Sequence, residues 1–268
     1  MTFLKLQHLS DEALRAEIIR TSLRMNALGI NQGKSGNVSA RISAPSPGQG
    51  GAAPWIAPGG DGGGAAPPVS PLTSSCDEAS QRRDAPAFLI TPTGIAYEYT
   101  TPPQIVAIRM DGTHDGDILP SSEWRFHRDI YAARRDVNAI VHTHAPFATT
   151  LACMDRGIPP FHYMIAVAGG KDIRCAAYAT FGTQALSDVA LTALQDRTAC
   201  LLSHHGMIAC GPDLDKALAL AVEVETLARM YWQALQIGEP VLLSDAEMAA
   251  VLEKFATYGQ LSATVGGR

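Results

Sequence analysis

The stretch Asn-Ala-Ile-Val-His-Thr-His-Ala, residues 138–145, is the most informative segment of the sequence. It is short, apolar and partly β-branched, which predicts a β-strand. Side chains two residues apart on a strand point to the same face, so His142 and His144 converge. A lone histidine here would be read as a hydrogen-bonded core residue, but two at this spacing can present two imidazoles to one metal ion.

A second histidine pair lies in Ser-His-His-Gly, residues 203–206. If this segment continues a strand from Cys200, adjacent side chains face opposite ways, and only one of His204 and His205 can join the first pair. Periodicity does not choose between them. The alternative is a turn with one histidine facing solvent.

A third candidate is Pro-Ser-Ser-Glu, residues 120–123, which precedes a helical pattern. Serine hydroxyls and free backbone N–H groups at a helix N-terminus favour an anion such as phosphate. The alternative is a simple N-cap, which would use Ser121 or Ser122 in the same way. Glu123 in the first turn would lie close to the anion, where it could bind a metal ion or move a proton.

The regular patterns along the chain alternate between helices and strands. Helical patterns cover 11–28, 120–135, 147–154, 183–195 and 213–236, and a last helix begins at Ser244, where Ser-Asp-Ala-Glu, residues 244–247, is a capping box. Strand patterns cover 38–43, 87–91, 138–145 and 200–205. This alternation predicts an α/β fold, and the hairpins argue against a purely parallel sheet. We therefore expect a mixed, mainly antiparallel central sheet flanked by helices.

One segment interrupts this order. Residues 44–86 hold 8 Gly and 8 Pro, out of 24 Gly and 17 Pro in the 268-residue chain. We interpret the segment as an expanded hairpin loop between the strands at 38–43 and 87–91, because loop-closure cost rises only logarithmically with length. The expectation is one domain over residues 1–268 with a disordered or loosely packed loop; a lid over the site is the alternative.

Composition narrows the class of protein. A net charge of −5 gives no support for a nucleic-acid surface. The charged N-terminal segment does not resemble a signal peptide, no apolar run is long enough to span a bilayer, and five cysteines without a C-x-x-C pair are typical of reduced thiols. These features predict a cytoplasmic protein. Walker, G-x-G-x-x-G, G-x-S-x-G and H-E-x-x-H motifs are all missing, which argues against nucleophilic-serine and dinucleotide chemistry.

With these residues in hand, the sequence resembles the class II aldolase/adducin family, and within it the members that cleave L-fuculose 1-phosphate. The resemblance covers nearly the whole chain outside the insert. The segments that carry it are NQGKSGNVSAR (31–41), LITPTGIAYE (89–98), PSSEWRFH (120–127), AIVHTHA (139–145), FHYMIAVAGG (161–170), YATFGT (178–183), HHGMIAC (204–210) and LEKFATYG (252–259).

The resemblance implies a set of site residues. It implies one Zn²⁺ per subunit, held by His142, His144, His205 and, in the resting state, Glu123. It also implies a homotetramer of C4 symmetry with sites at subunit interfaces. The remaining residues fall into three groups: a phosphate pocket of Gly36, Asn37, Thr93, Gly94, Ser121 and Ser122; a proton donor, Tyr163, from the neighbouring subunit; and an aldehyde end shaped by Phe181, Phe255 and Tyr258.

The implied reaction is the reversible cleavage of L-fuculose 1-phosphate to dihydroxyacetone phosphate and L-lactaldehyde. The metal would stabilise the enediolate charge, Glu123 would be the general base at the hydroxymethyl carbon, and Tyr163 would exchange a proton with the aldehyde oxygen. Alternatives are a sugar-phosphate 4-epimerase or dehydratase, or a metal-free adducin-like structural module. Against the epimerases stand Glu123, where they carry Asp, and the Tyr163 context; against the structural module stands the complete ligand set.

Two features stand apart from this assignment. Lys34 and Ser35 in the expected phosphate loop add a positive charge that the family pattern does not explain. Glu225 falls on the apolar stripe of the helical pattern at 213–236. Its ordinary interpretation is a carboxylate partnered where that helix packs, rather than a site residue.

Overall fold

The computed structural model describes residues 11–42 and 87–257. The seven strands are β1 Asn37–Arg41, β2 Phe88–Ile90, β3 Val106–Ile108, β4 Ala139–Thr143, β5 Cys175–Ala176, β6 Ala199–Leu202 and β7 Gly206–Gly211. They form one sheet in the order β3-β2-β1-β4-β7-β6-β5. All neighbours pair antiparallel except β5 and β6, which are parallel. The predicted mixed, mainly antiparallel sheet is confirmed.

In the described residues, six α-helices cover the two faces of this sheet. They are α1 Asp11–Ala27, α2 Trp124–Ala133, α3 Pro146–Ala152, α4 Gln184–Ala193, α5 Leu214–Ile237 and α6 Asp245–Thr257, with short 3₁₀ helices at Tyr97–Tyr99, Pro102–Gln104 and Tyr163–Ala168. Within residues 11–42 and 87–257, no helix is both long and apolar enough to cross a membrane.

Strand alternation separates the core into two hydrophobic layers. On β4, Ala139 and Val141 pack with α1, α3 and α5, whereas Ile140 packs with α2 and α4 on the opposite face. His142 shares the parity of Ile140, and Asn37, its partner across the β1–β4 pair, lies beside it. The site residues of both strands therefore project toward α2.

The pairing of β1 with β2 confirms the hairpin inferred from the sequence. Arg41, the last residue of β1, lies opposite Phe88, the first residue of β2. The connection between them contains the Gly/Pro-rich insert, and residues 43–86 lie outside the described part of the chain. The insert as a loop within one domain therefore stays a prediction.

The predicted strand at 200–205 is wrong at its C-terminal end. β6 ends at Leu202, and His204 has a φ of +54°, a left-handed conformation that closes a tight turn into β7. β7 itself, which pairs with both β4 and β6, was not expected. The alternative of a turn at the second histidine pair is the correct one.

The helix predicted over 120–135 begins later than expected, because the residues before it pair with the loop that contains Pro92. Pro120 forms an isolated β-bridge with Pro92, and α2 starts at Trp124 with Glu123 at its N-cap. Two other helices are capped by side chains at their N-termini. The Asp213 carboxylate accepts a hydrogen bond from the Lys216 N–H at the start of α5, and Ser244 and Glu247 form the predicted capping box of α6.

Candidate metal and substrate site

Three histidines meet at one end of β4 and β7. Possible ligand atoms of His142, His144 and His205 all lie within 4.8 Å of one another. Their ring centroids are 5.1 Å apart for His142–His144, 4.8 Å for His142–His205 and 4.9 Å for His144–His205. This is the convergence expected of imidazoles that share one ion.

The β6–β7 turn decides which histidine of the second pair joins the cluster. His205 turns inward with a side chain 13% exposed, while the side chain of His204 is 52% exposed. Gly206 allows the close approach: a Cβ there would lie 2.6 Å from the Thr143 carbonyl oxygen and 3.0 Å from the His144 ring. Any larger residue would push the two strands apart at the cluster.

Glu123 completes the group from the N-terminus of α2. Its Oε2 lies 3.1 Å from Nε2 of His142, and its Oε1 lies 3.1 Å from Nε2 of His205. Glu123 is only 5% exposed. The residue expected as fourth ligand therefore faces the three imidazoles.

The polar atoms of this cluster fit a cation. Oε1 of Glu123 and Nε2 of His142 and His144 are buried without a properly oriented hydrogen-bond partner. Such orphaned atoms are costly in a protein interior unless a bound ion or ligand satisfies them. Two ligands about 2.0–2.1 Å from one tetrahedral Zn²⁺ lie about 3.3 Å apart, close to the two 3.1 Å separations.

A backbone contact fixes the tautomer of His142 in the form that can bind a metal ion through Nε2. Its Nδ1 lies 2.9 Å from the Met207 carbonyl oxygen, which can only accept, so Nδ1–H donates and Nε2 presents a lone pair to the cluster. Neutral imidazole is the form that binds a metal ion.

Burial and mutual charge set the protonation states. Burial lowers the pKa of His144 to about 4, with the neighbouring imidazoles of His142 and His205 acting in the same direction. For Glu123, burial opposes ionisation, but the imidazoles of His142 and His205 more than offset it and hold the carboxyl pKa well below its usual range. At neutral pH the cluster combines an anionic carboxylate with a neutral His144, the forms that a divalent cation requires.

A chain of buried hydrogen bonds lies behind Glu123. The Asn37 side-chain amide donates to Oε2 of Glu123 over 2.9 Å, and its Oδ1 contacts Nε2 of His127. Nδ1 of His127 lies 2.7 Å from the Ser39 hydroxyl, which lies 2.8 Å from the Tyr131 hydroxyl. Burial lowers the pKa of His127 to about 3, so its ring is neutral. Sequence reasoning missed His127, Ser39 and Tyr131, although Glu123/His127 at i, i+4 and Asn37/Ser39 at i, i+2 were visible signals.

The three loops expected to hold phosphate are tied together near this cluster. The Thr93 N–H donates to the Leu119 carbonyl, the Ser121 N–H donates to the Thr91 carbonyl, and Nζ of Lys34 donates to the Gly94 carbonyl over 2.8 Å. Thr93, Gly94 and Ser122 are exposed, whereas Gly36, Asn37 and Ser121 are buried.

Two of the buried loop residues, Gly36 and Asn37, make contacts within the protein. Gly36 is packed against β4, since a Cβ there would lie 2.5 Å from the His142 carbonyl oxygen. Both ends of the Asn37 side-chain amide form hydrogen bonds, the NH₂ group with Glu123 and the oxygen with His127. Their assignment to a phosphate pocket stays a prediction.

The expected proton donor and the described residues of the expected aldehyde end lie in different parts of the single chain. Tyr163 and Phe181 are more than half exposed, and Phe181 lines a cavity of about 450 Å³ together with Ser122 and Trp124. Phe255 packs against the hydrophobic layer on the α5 side of the sheet. Tyr258 lies outside the described residues. Their common role therefore stays a prediction.

With fold and site described, comparison with known proteins identifies the class. The sequence profile of the class II aldolase and adducin N-terminal domain matches residues 72–232. The chain belongs to this family.

Relatives and solved structures narrow the comparison. A Rhodospirillum rubrum protein named 5-methylthioribulose-1-phosphate/5-deoxyribulose-1-phosphate aldolase is 48% identical, covering 92% of this chain and 93% of the relative. The L-fuculose phosphate aldolase of Escherichia coli K12 is 47% identical, covering 92% of this chain and 95% of that enzyme. A solved L-fuculose 1-phosphate aldolase superposes with a TM-score of 0.73 at 33% identity, covering 93% of this chain and 98% of that one.

Proposed function

We propose that this protein is a Zn²⁺-dependent aldolase that reversibly cleaves a ketose 1-phosphate to dihydroxyacetone phosphate and an aldehyde. The observation that carries the proposal is the convergence of His142, His144 and His205 on Glu123, where Oε1 of Glu123 and Nε2 of His142 and His144 are buried without hydrogen-bond partners. An adducin-like structural module has no need of such a cluster.

The ligand set assigns a role to each member. His142, His144 and His205 would hold the metal, with Glu123 as fourth ligand until substrate arrives. When bound, the metal supplies Lewis-acid stabilisation of the negative charge that develops as the carbon–carbon bond breaks. In condensation the ionised Glu123 carboxylate, directed into the cluster, would remove a proton from the hydroxymethyl carbon. In cleavage the same group, in its protonated form, would return that proton to the carbon.

Tyr163 is the proposed partner in proton transfer. In cleavage its deprotonated hydroxyl would accept the proton of the hydroxyl group at the breaking bond, and in condensation the protonated hydroxyl would return that proton to the aldehyde oxygen. Its side chain is 51% exposed in the single chain. An exposed tyrosine suits a residue contributed to the site of a neighbouring subunit, and we include a C4 homotetramer in the proposal.

The phosphate group is proposed to bind at the three joined loops. Thr93, Gly94 and Ser122 offer hydroxyl and backbone groups at the surface, and Lys34 adds a positive charge at Gly94. A phosphate held there would fix the distance between the reacting carbons and the metal ligands. Phe181, Phe255 and Tyr258 are proposed to bound the aldehyde end.

Two substrates stand as candidates within this reaction. L-fuculose 1-phosphate is the first, supported by the segments FHYMIAVAGG and LEKFATYG and the similarity to the Escherichia coli enzyme. A 5-deoxy- or 5-methylthio-substituted ribulose 1-phosphate is the second, because the Rhodospirillum rubrum relative named for these sugars is similar to the same degree.

The test is a coupled assay for dihydroxyacetone phosphate release from each candidate sugar phosphate. Activity is expected to disappear with a chelator and return with Zn²⁺, and purified protein is expected to contain about one metal ion per chain. His205→Ala should lose both metal and activity, whereas His204→Ala should keep the metal because its ring points away. A native protein without bound divalent metal and without cleavage of any of these sugars would refute the proposal.

A further inference from the structure

His127 is a buried group that the reaction outlined above does not use. It lies in α2, one turn after Glu123, and is completely enclosed. Both ring nitrogens have polar partners: Nε2 contacts Oδ1 of Asn37, and Nδ1 lies 2.7 Å from the Ser39 hydroxyl. A buried histidine with two oriented contacts is constrained in ring orientation and in tautomer.

The direction of the hydrogen bonds follows from their end at Glu123. An ionised carboxylate can only accept, so Asn37 must present its NH₂ group to Oε2 of Glu123. Its carbonyl oxygen then faces His127 and needs a donor. The only hydrogen that His127 can offer there is on Nε2.

The remaining two hydrogen bonds, between His127 and Ser39 and between Ser39 and Tyr131, also have a fixed direction. With its proton on Nε2, neutral His127 accepts at Nδ1, so the Ser39 hydroxyl donates to it. That hydroxyl has one hydrogen, and the Tyr131 hydroxyl must therefore donate to Ser39. Every donor along the chain points toward Glu123, an arrangement in which successive hydrogen bonds polarise one another.

We infer that His127 is a positioning residue: its Nε2–H holds the Asn37 amide with the NH₂ toward Glu123, and Asn37 in turn holds the carboxylate among the three histidines. Without that donor, the Asn37 amide could rotate and turn its oxygen toward the carboxylate, where two acceptors would repel each other. The inference rests on the proposed role of Glu123 as metal ligand and base.

The decisive comparison uses three variants in the full-length protein. His127→Phe keeps a ring of similar size but removes both nitrogens. His127→Gln restores a donor near the Nε2 position. Ile130→Val, in the same helix and the same buried layer, controls for a general loss of packing.

The first readout is Zn²⁺ affinity, measured by competition with a chromophoric chelator. Loss of a group that orients a metal ligand typically weakens binding about 10–100-fold, and we expect a loss of this size for His127→Phe. His127→Gln should stay within about threefold of wild type, and Ile130→Val should match wild type. An affinity of His127→Phe equal to that of Ile130→Val would overturn the inference while leaving the proposed function intact. A wild-type protein without metal or aldolase activity would instead refute the proposed function.

The second readout is a property of the wild-type protein, and a variant is needed only to assign the signals. Long-range ¹H–¹⁵N spectra of the ¹⁵N-histidine-labelled wild-type protein report which ring nitrogen carries the proton, and the His127 signals are those missing in His127→Gln. We expect the proton on Nε2. A proton on Nδ1 alone would reverse the direction of the chain and overturn the inference.

Discussion

Two buried glutamates, one on each side of the sheet, show how differently the same side chain can be used. Glu225 on α5 accepts hydrogen bonds from the Phe147 N–H (2.9 Å) and the Ala148 N–H (2.8 Å), one on each carboxylate oxygen, at the N-terminus of α3. Glu123 has one oxygen bonded to Asn37 and the other without a properly oriented partner among the histidines.

The difference separates a structural carboxylate from a reactive one. The Glu225 carboxylate accepts hydrogen bonds from two N–H groups at the start of α3 that have no partner within the helix. This confirms the interpretation of Glu225 as a partnered carboxylate where α5 packs. Burial raises the pKa of Glu225, whereas nearby imidazoles hold that of Glu123 well below the usual range. A buried charge whose contacts are incomplete is the one that indicates a missing ligand.

The sharpest test of this contrast is the same substitution at both positions. Glu123→Gln removes the proposed base and one metal ligand, and kcat for sugar-phosphate cleavage should fall about 10²–10⁴-fold. Glu225→Gln should leave kcat near wild type. A Glu123→Gln enzyme with near-normal turnover would contradict the assigned base.

The next largest effect is expected in stability. In Glu225→Gln one oxygen becomes an NH₂ group that faces a backbone N–H at the start of α3, so a buried donor loses its acceptor. The free energy of unfolding should decrease by about 1–3 kcal/mol. Urea denaturation of the metal-free protein measures it, and an unchanged midpoint would show that the α3 N-terminus does not depend on this carboxylate.

The stability of the metal-free protein should also depend on pH, because His144 is buried in the histidine cluster. The pKa of His144 is about 4 in the folded chain, below the ordinary value of about 6.5. Between these values the unfolded chain binds more protons, so the stability of the metal-free protein should fall as pH drops from about 6.5 to about 4. Urea midpoints across this range measure the decrease, and His144→Gln should make it smaller. An equal slope in that variant would assign the acid sensitivity elsewhere.

The smallest effect concerns the exposed rim of the site. Replacing Lys34 with Met removes the positive charge beside Gly94 and should raise KM for the sugar phosphate up to about fivefold, because exposed charge contacts contribute little. The difference should shrink in high salt. Lys216→Met, on the exposed start of α5, is the matched control. An unchanged KM would show that Lys34 does not contribute to binding of the sugar phosphate.

Local patterns predicted much of this fold and site. The period-2 histidines at the C-terminal end of β4 converge as expected, and the capping box of α6 forms with the predicted residues. β7 escaped prediction because Gly206–Gly211 is a short, fully buried strand that follows a tight turn, without the polar alternation that marks a half-buried strand. The His127 chain escaped because its members come from two elements, β1 and α2, that no local pattern brings together.

By itself, the sequence determined the class of fold, the convergence of two histidines and the hairpin pairing of the strands on either side of the insert, because these depend on periodicity and composition over a few residues. Only the tertiary structure decided which histidine of the second pair enters the cluster, how Glu123 meets it, and which donors hold Asn37. These choices depend on the left-handed turn at His204 and on the packing of α2 against β1 and β4, which residues far apart in the chain create together.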